Sequence, residues 1–287
     1  MRARRVLRWS ALAFGALFLV SVVALAVGAP VPVGDAQLLF PPQRPPLAAW
    51  NRPGVETFSV RAADGTALRG WILRGRRDAP WLLIDYGNAS SMENMFPLAT
   101  WFARLGYTTV MWDYRGYEFS GGRIDALASR DDAVRVYDAV RTRSNSVPFV
   151  YGLSYGTTIA VHVAASRPVR ALVLHAPPSD ATTEAFAVRD RFFPWPVNRL
   201  RPVPTRSLRI ALDEAHEIAR VTVPLMVLHG DADTLIPISQ GRVVERAAVA
   251  RQAFRRRARR AARRRVLREH AGGRRDRRIP RGALSAI

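Results

Sequence analysis

The sequence predicts an α/β fold: a mostly parallel sheet flanked by helices, carrying a small insertion late in the domain. Three observations carry that prediction. Short apolar runs alternate with helix-compatible stretches from residue 55 to about residue 248, the signature of a sheet covered on both faces. One run, Pro148 to Leu153, ends on Gly152-Leu153-Ser154-Tyr155-Gly156 and gives way to a helix-compatible stretch, Thr157 to Ala165. The 287 residues are enough for one large domain with a buried core plus an appendage.

The elements follow in order. Residues 1–8 are a basic start with Arg2, Arg4, Arg5 and Arg8, and residues 9–29 are uncharged and largely apolar. About 20 such residues span a bilayer, so 9–29 reads as a transmembrane signal-anchor. A cleaved signal peptide, with Ala24-Leu25-Ala26 as its small-residue site, is the competing reading. Either one leaves the arginines inside and the body outside, which predicts a single-pass membrane protein with an extracytoplasmic domain. Residues 30–54 read as a proline-rich linker, stiff over 41–53.

The domain proper is expected over 55–248. Val55–Arg61 and Ala67–Leu73 flank Asp64-Gly65, a hairpin signal. Strand-like runs follow at Trp81–Tyr86, Tyr107–Trp112, Pro148–Leu153, Ala171–His175 and Pro224–His229. Helical patterns lie around Glu93–Leu105, Asp131–Val140, from Tyr155, and over Ser239–Ala250. The alternation breaks over about 177–221, where Arg191-Phe-Phe-Pro-Trp-Pro marks a cap that would shape a pocket.

Composition removes several classes of function. With no cysteine there is no disulfide scaffold, Cys-zinc site or thiol nucleophile. The net charge of +21 arises from arginine alone, and 15 of those arginines crowd into residues 249–287 against Glu269 and Asp276. That segment has one aromatic residue, Phe254, and no nucleic-acid module, so no specific nucleic-acid partner is expected.

Gly152-x-Ser154-x-Gly156 sits where a strand would turn sharply into a helix, the setting of a nucleophile elbow. Tyr86-Gly87-Asn88-Ala89 follows a strand-like run and offers backbone amides to an oxyanion. Asp113-Tyr114-Arg115-Gly116 closes another run, and Leu228-His229-Gly230-Asp231-Ala232-Asp233 places carboxylates after a late strand. Together these ordered motifs resemble the α/β-hydrolase superfamily, in particular its membrane-anchored serine-hydrolase branch, lipase-like or serine-aminopeptidase-like. The resemblance covers about residues 55–248. It implies the α/β-hydrolase fold, with Ser154 as nucleophile and Asp233 as acid, Asp231 being the rival. It puts the oxyanion donors on the backbone N–H groups of Asn88 and Tyr155. It gives the Asp113-Tyr114-Arg115-Gly116 turn an ordering role, and it calls for no metal or organic cofactor. The partner implied is a small-molecule acyl substrate, with the membrane engaged through the N-terminal helix.

The family mechanism also needs a histidine, because a serine hydroxyl requires a base at neutral pH. The superfamily order Ser…Asp…His leaves His270, the one histidine of five that follows Asp233. His162, His175, His216 and His229 read as packing, pocket-lining, cap and strand-end residues. The strand expected before the catalytic histidine has no apolar run: from Arg251 to Ile287 arginines interrupt every one. The last strand is therefore expected to be missing. Residues 249–287 read as a disordered or helical arginine-rich tail, as a basic helix on an acidic membrane, or as the product of a frame shift replacing the family's C-terminus. Two functions stand. One is a serine hydrolase cleaving a carboxylic ester, or less readily an amide or thioester, through an acyl-enzyme. The other is a catalytically impaired hydrolase-fold protein that serves as a binding module or a non-functional product.

Overall fold

The computed structural model describes residues 19–23, 25–42, 47–249 and 252–257. In chain order the elements are β1 (Pro30–Val33), α1 (Asp35–Leu38), β2 (Glu56–Arg61), β3 (Ala67–Leu73), β4 (Trp81–Asp85), α2 (Met92–Arg104), β5 (Thr108–Trp112) and α3 (Ala126–Arg143). Then come β6 (Phe149–Leu153), α4 (Tyr155–Ser166), β7 (Leu172–His175), α5 (Ala181–Phe192), β8 (Arg201–Pro204), α6 (Arg206–Ala211), α7 (Glu214–Glu217), β9 (Leu225–Gly230), α8 (Ile238–Ala247) and β10 (Gln252–Arg257).

Eight strands form one sheet in the order β10-β9-β7-β6-β4-β5-β3-β2. The pairs from β10 to β5 are parallel, and β3 joins β5 and β2 antiparallel. Every residue of β4 and β5 is buried, as expected for parallel strands covered by helices on both faces. The edge strand β2 instead buries only Phe58, between half-buried Thr57 and exposed Ser59. The β2–β3 hairpin turns at Asp64-Gly65, where Asp64 Oδ1 accepts the Thr66 N–H at 3.0 Å.

Side-chain caps fix where the helices begin. Ser91 accepts the N–H of Asn94, Asp125 that of Ala128 and Asp180 that of Thr183. The Asp125 cap starts α3 at Ala126, ahead of the Asp131 start that periodicity marks. Between β7 and β9 the sheet gives way to α5, β8, α6 and α7, which form the cap.

Two features depart from the sequence reading. The last strand, expected to be missing, is present: β10 pairs in parallel with β9 over six positions, from Gln252 opposite Leu225 to Arg257 opposite Gly230. An apolar run is needed only where a strand is buried on its faces. The ladder itself is made by backbone N–H and C=O groups, which any non-proline residue supplies. The second departure is the linker. Residues 30–33 pair in parallel with 201–204 of the cap, and Leu38 and Leu39 are buried in the core. Trp71 Nε1 donates to the carbonyl of Trp50 at 2.8 Å. Over its described residues the segment is laid along the domain, not held away from it. The membrane span expected over 9–29 lies mostly outside the described residues; among those described, no helix is long and apolar enough to cross a membrane.

Candidate active site

The C-terminal ends of the parallel strands β4, β5, β6, β7 and β9 lie on one edge, and the predicted site motifs of the described chain follow β4, β5, β6 and β9 there. β6 ends at Leu153, and Ser154 takes φ 53° and ψ −125°, a conformation rare for a residue with a Cβ. Serine at a helix N-cap usually gives its hydroxyl to the first turn. Ser154 makes no such cap bond, so the strain leaves Oγ uncommitted to the helix. Its own N–H donates to His175 O at 2.8 Å, which ties the elbow to β7.

The flanking glycine enforces the turn. A Cβ on Gly156 would lie 2.6 Å from Tyr86 O and closer still to the Asp85 carbonyl, so only glycine lets α4 pack this close to β4. The loop after β4 comes equally near. A Cβ on Gly87 would stand 3.2 Å from Ser154 Cβ and 3.7 Å from Ser154 Oγ. Asn88 is the residue after Gly87, and Tyr155, next to Ser154, is the first of α4. Neither amide donates to a backbone acceptor among the described residues, as expected for Tyr155 in a helix's first turn.

Asn88 is held by its side chain. Its Oδ1 accepts from Phe40 N at 2.7 Å, from Ala89 N at 2.9 Å and from Tyr117 Oη at 3.2 Å, while Nδ2 donates to Leu38 O at 2.8 Å. The segment expected to be a linker thus clamps the loop beside Ser154. The signal for it was present in the sequence: Leu38-Leu39-Phe40 is an apolar run within proline-rich surroundings.

The Asp113-Tyr114-Arg115-Gly116 turn buttresses the same loop. Tyr114 Oη donates to Tyr86 O at 2.7 Å, and Tyr86 Oη donates to Asp113 Oδ1 at 2.6 Å. Burial pushes the Asp113 carboxyl up to about 7 against the pull of that bond. Arg115 forks onto Asp132 at 2.7 and 2.8 Å. Beneath the elbow, Thr157 Oγ1 lies 2.6 Å from Ser154 O and 2.8 Å from Glu214 Oε2 on α7. Burial raises the Glu214 carboxyl well above the usual range. Sequence reasoning missed Thr157 and Glu214, because only the docking of α7 on α4 brings them together.

Asp233 lies on the loop after β9, two strands from the elbow, or roughly 10 Å at the usual strand spacing. Its Oδ1 accepts both Leu235 N at 2.9 Å and Ile236 N at 3.0 Å. Both bonds fall on one oxygen, and among the described residues Oδ2 accepts from no hydrogen-bond donor. Glu184 of the cap faces this loop; burial pushes it up to about 7, with Asp233 adding repulsion. The rival Asp231 sits two residues earlier on the same loop.

Three of the four described histidines have other partners. His229 is fully buried, with Nε2 2.8 Å from Ile236 O, and so braces the Asp233 loop. His162 Nδ1 lies 2.7 Å from Glu217 in a cluster with Arg130. His175 Nδ1 lies 2.7 Å from the Tyr151 hydroxyl, and His216 is exposed. His270 lies outside the described residues.

An apolar cavity of about 190 Å³ runs between the N-terminal segment and the cap, lined by Val33, Leu38, Val188, Phe193 and Leu200 among others. It exceeds the ~150 Å³ apolar cavity that admits benzene. Leu38, one of the lining residues, is the residue whose carbonyl holds Asn88.

Comparison with known proteins agrees with this architecture. A family model described as alpha/beta hydrolase fold matches residues 80–209. The lysophosphatidylserine lipase ABHD12 of Rattus norvegicus is 30% identical over 191 residues, covering 61% of this chain and 47% of that protein. The chain thus spans about half the length of these lipases. An uncharacterised protein of Mycobacterium tuberculosis is 31% identical over 247 residues, covering 81% of this chain and 83% of its own length. Among solved structures, a Pyrococcus furiosus esterase superposes with a TM-score of 0.58 at 15% identity, over 76% of this chain and 87% of its own.

Proposed function

The chain belongs to the α/β-hydrolase family, and from that premise we propose that it is a serine hydrolase that cleaves a carboxylic ester through an acyl-enzyme. The observation that carries the proposal is Ser154, strained at φ 53° with its hydroxyl unspent on the helix and Gly87 packed against it. In this reading Ser154 Oγ attacks the ester carbonyl, forming a tetrahedral intermediate. The backbone N–H groups of Asn88 and Tyr155 donate to its oxyanion. A histidine takes the serine proton and returns it to the leaving alcohol, and water then releases the acid by the same steps. Asp233, through the oxygen not used by the loop amides, orients that histidine. His270 fills the position by chain order. The apolar cavity supports an acyl chain as the group retained, and the ester-cleaving relatives support the bond. The membrane is proposed as the setting, entered through residues 9–29.

A fluorophosphonate probe tests the reading on the full chain. Labelling is expected, with Ser154→Ala abolishing it and His270→Ala slowing it by about 10⁴-fold or more. Labelling of the parent chain unaffected by Ser154→Ala rules out the elbow. No labelling at all favours the second reading, a hydrolase-fold binding module. That reading draws on the structural partners of His162, His175 and His229.

A further inference from the structure

The cap carries an exposed aromatic tip that the hydrolytic chemistry does not use. Trp195 is 76% exposed, Phe192 61% and Phe193 49%, although large aromatic side chains are ordinarily buried. They sit together on one short stretch, Phe-Phe-Pro-Trp-Pro, at the end of α5. Adjacent apolar side chains of this magnitude mark an interaction site more often than scattered ones do. The charge around them is mainly positive: the exposed Asp190 just before them is paired with Arg189 at 2.6 Å. Residues 191–212 contain five arginines and no acid, and Arg191, Arg199, Arg201, Arg206 and Arg209 are all exposed.

The position of the tip indicates its partner. β8 pairs with β1, which directly follows the apolar stretch 9–29. Arg201 N donates to Ala29 O at 2.9 Å, and Arg199 Nη2 to Ala26 O at 3.4 Å. The described helical residues just before, including Val20, Val23 and Val27, are exposed apolar side chains. The aromatic tip and its arginines are therefore fastened to the point where the apolar stretch leaves off. Tryptophan and phenylalanine with flanking arginines suit the headgroup region of a bilayer, and the arginines suit one that is negatively charged. Phe193 and Val197 of this stretch line the apolar cavity, as does Leu38, whose carbonyl accepts from Asn88.

We propose that the cap tip Phe192–Val197, with Arg191, Arg199 and Arg201, seats in the surface of an anionic lipid bilayer, holding the mouth of the apolar cavity against the lipid. This goes beyond the proposed hydrolysis and does not depend on Ser154 being active. A protein partner with an acidic, apolar face is the alternative occupant, and the experiment separates the two.

The chain has no cysteine, so a single introduced thiol is labelled uniquely. Full-length chains carrying Phe192→Cys, Trp195→Cys or Arg77→Cys are spin-labelled and reconstituted into mixed phosphatidylcholine–phosphatidylglycerol vesicles. Arg77, 97% exposed, sits before β4 at the opposite end of the strands from the elbow. Labels at 192 and 195 are expected to be relaxed severalfold more by oxygen than by a water-soluble nickel complex, with the reverse at 77. Replacing Arg191, Arg199 and Arg201 by Gln, or using phosphatidylcholine alone, is expected to return 195 towards the behaviour of 77. A label at 195 as accessible to nickel as the one at 77 overturns the proposal. So does one shielded from both reagents, which is the mark of a protein contact. Equal depth in neutral and anionic vesicles removes the anionic partner. Fluorophosphonate labelling of Ser154 is read separately, so failure of the docking and failure of the chemistry are distinguishable.

Discussion

The surroundings of Ser154 and of Asp233 are built by different means. Around Ser154 the chain is fixed by exclusion: glycines where a Cβ would strike backbone, and buried hydroxyls bonded to carbonyls. Asp233, two strands away, is fixed by two amides of its own exposed loop and by the buried His229 beneath it. The first arrangement depends on the whole core; the second depends on a few local bonds. The geometry at Ser154 is therefore a property of the fold, whereas the placement of Asp233 is a property of one loop.

The sharpest break in this comparison comes from the loop carboxylates. Asp233→Asn keeps an oxygen for the loop amides but removes the charge that would stabilise an imidazolium. It is expected to lower kcat by about 10⁴-fold, the scale of losing a triad acid. Asp231→Asn, on the same loop, is expected to stay within about tenfold, the range of a change that leaves the reacting groups in place. Steady-state hydrolysis of a short-chain ester checks both, and an inverted ranking moves the acid to Asp231.

Asn88→Ala probes the other side. It removes the four bonds through which the side chain joins the Leu38–Phe40 segment, Ala89 and Tyr117 to the loop. The backbone amide remains but loses its placement. A shift near 1 Å costs about 10²-fold, so a kcat loss of that order with little change in KM is expected. A loss confined to KM would show that the segment shapes the pocket and leaves the oxyanion loop alone.

How far the sequence could be read follows the same division. Strands β3 to β7 and β9 are legible to within a residue or so, because burial on both faces writes them as apolar runs. The elbow is legible because its glycines are forced. The clamp on Asn88 and the pairing of β1 with the cap are not, since prolines there mimic a linker and the partners lie some 50 to 170 residues away. β10 escaped for the opposite reason: its backbone pairs while its arginines hide it from any hydropathy pattern. Thr157 and Glu214 have no local signal, being 57 residues apart.

The buried carboxyls of the sheet make the fold's stability depend on pH. Asp85, fully buried with Trp112 Nε1 at 2.8 Å, is pushed up by burial to about 7 from 3.8. A raised folded value means the native state holds the proton more tightly. The stability it gives is complete below the ordinary value and is lost as pH rises through about 7. Asp85→Asn cannot ionise, so its stability is expected to fall less between about pH 5 and about pH 8, by a kcal/mol or more at ~1.4 kcal/mol per unit. Asp113 keeps part of the slope in both chains. Urea midpoints at the two pH values check this, and equal slopes would show that Asp85 is ionised in the native state.

The smallest expected effect bears on how the elbow is held from below. One Thr157 proton cannot serve both Ser154 O and Glu214 Oε2. Thr157 Oγ1 is within donor range of both oxygens, and a protonated Glu214, the form burial favours, would donate to Thr157 Oγ1 and leave the Thr157 proton for Ser154 O. Glu214→Gln supplies an N–H in the same place, so kcat is expected to change by less than about threefold, below the ~1 kcal/mol of a lost hydrogen bond. Thr157→Val breaks both links and is expected to cost about tenfold or more, as buried groups lose their partners. The pH response separates this relay from simple packing. Wild-type stability from Glu214 is lost as pH rises through its raised value, whereas Glu214→Gln has no such loss and should tolerate alkaline conditions better. If Glu214→Gln instead behaves like Thr157→Val at neutral pH, the carboxylate charge is required, and the elbow is held by an ion and not by a relay of neutral donors.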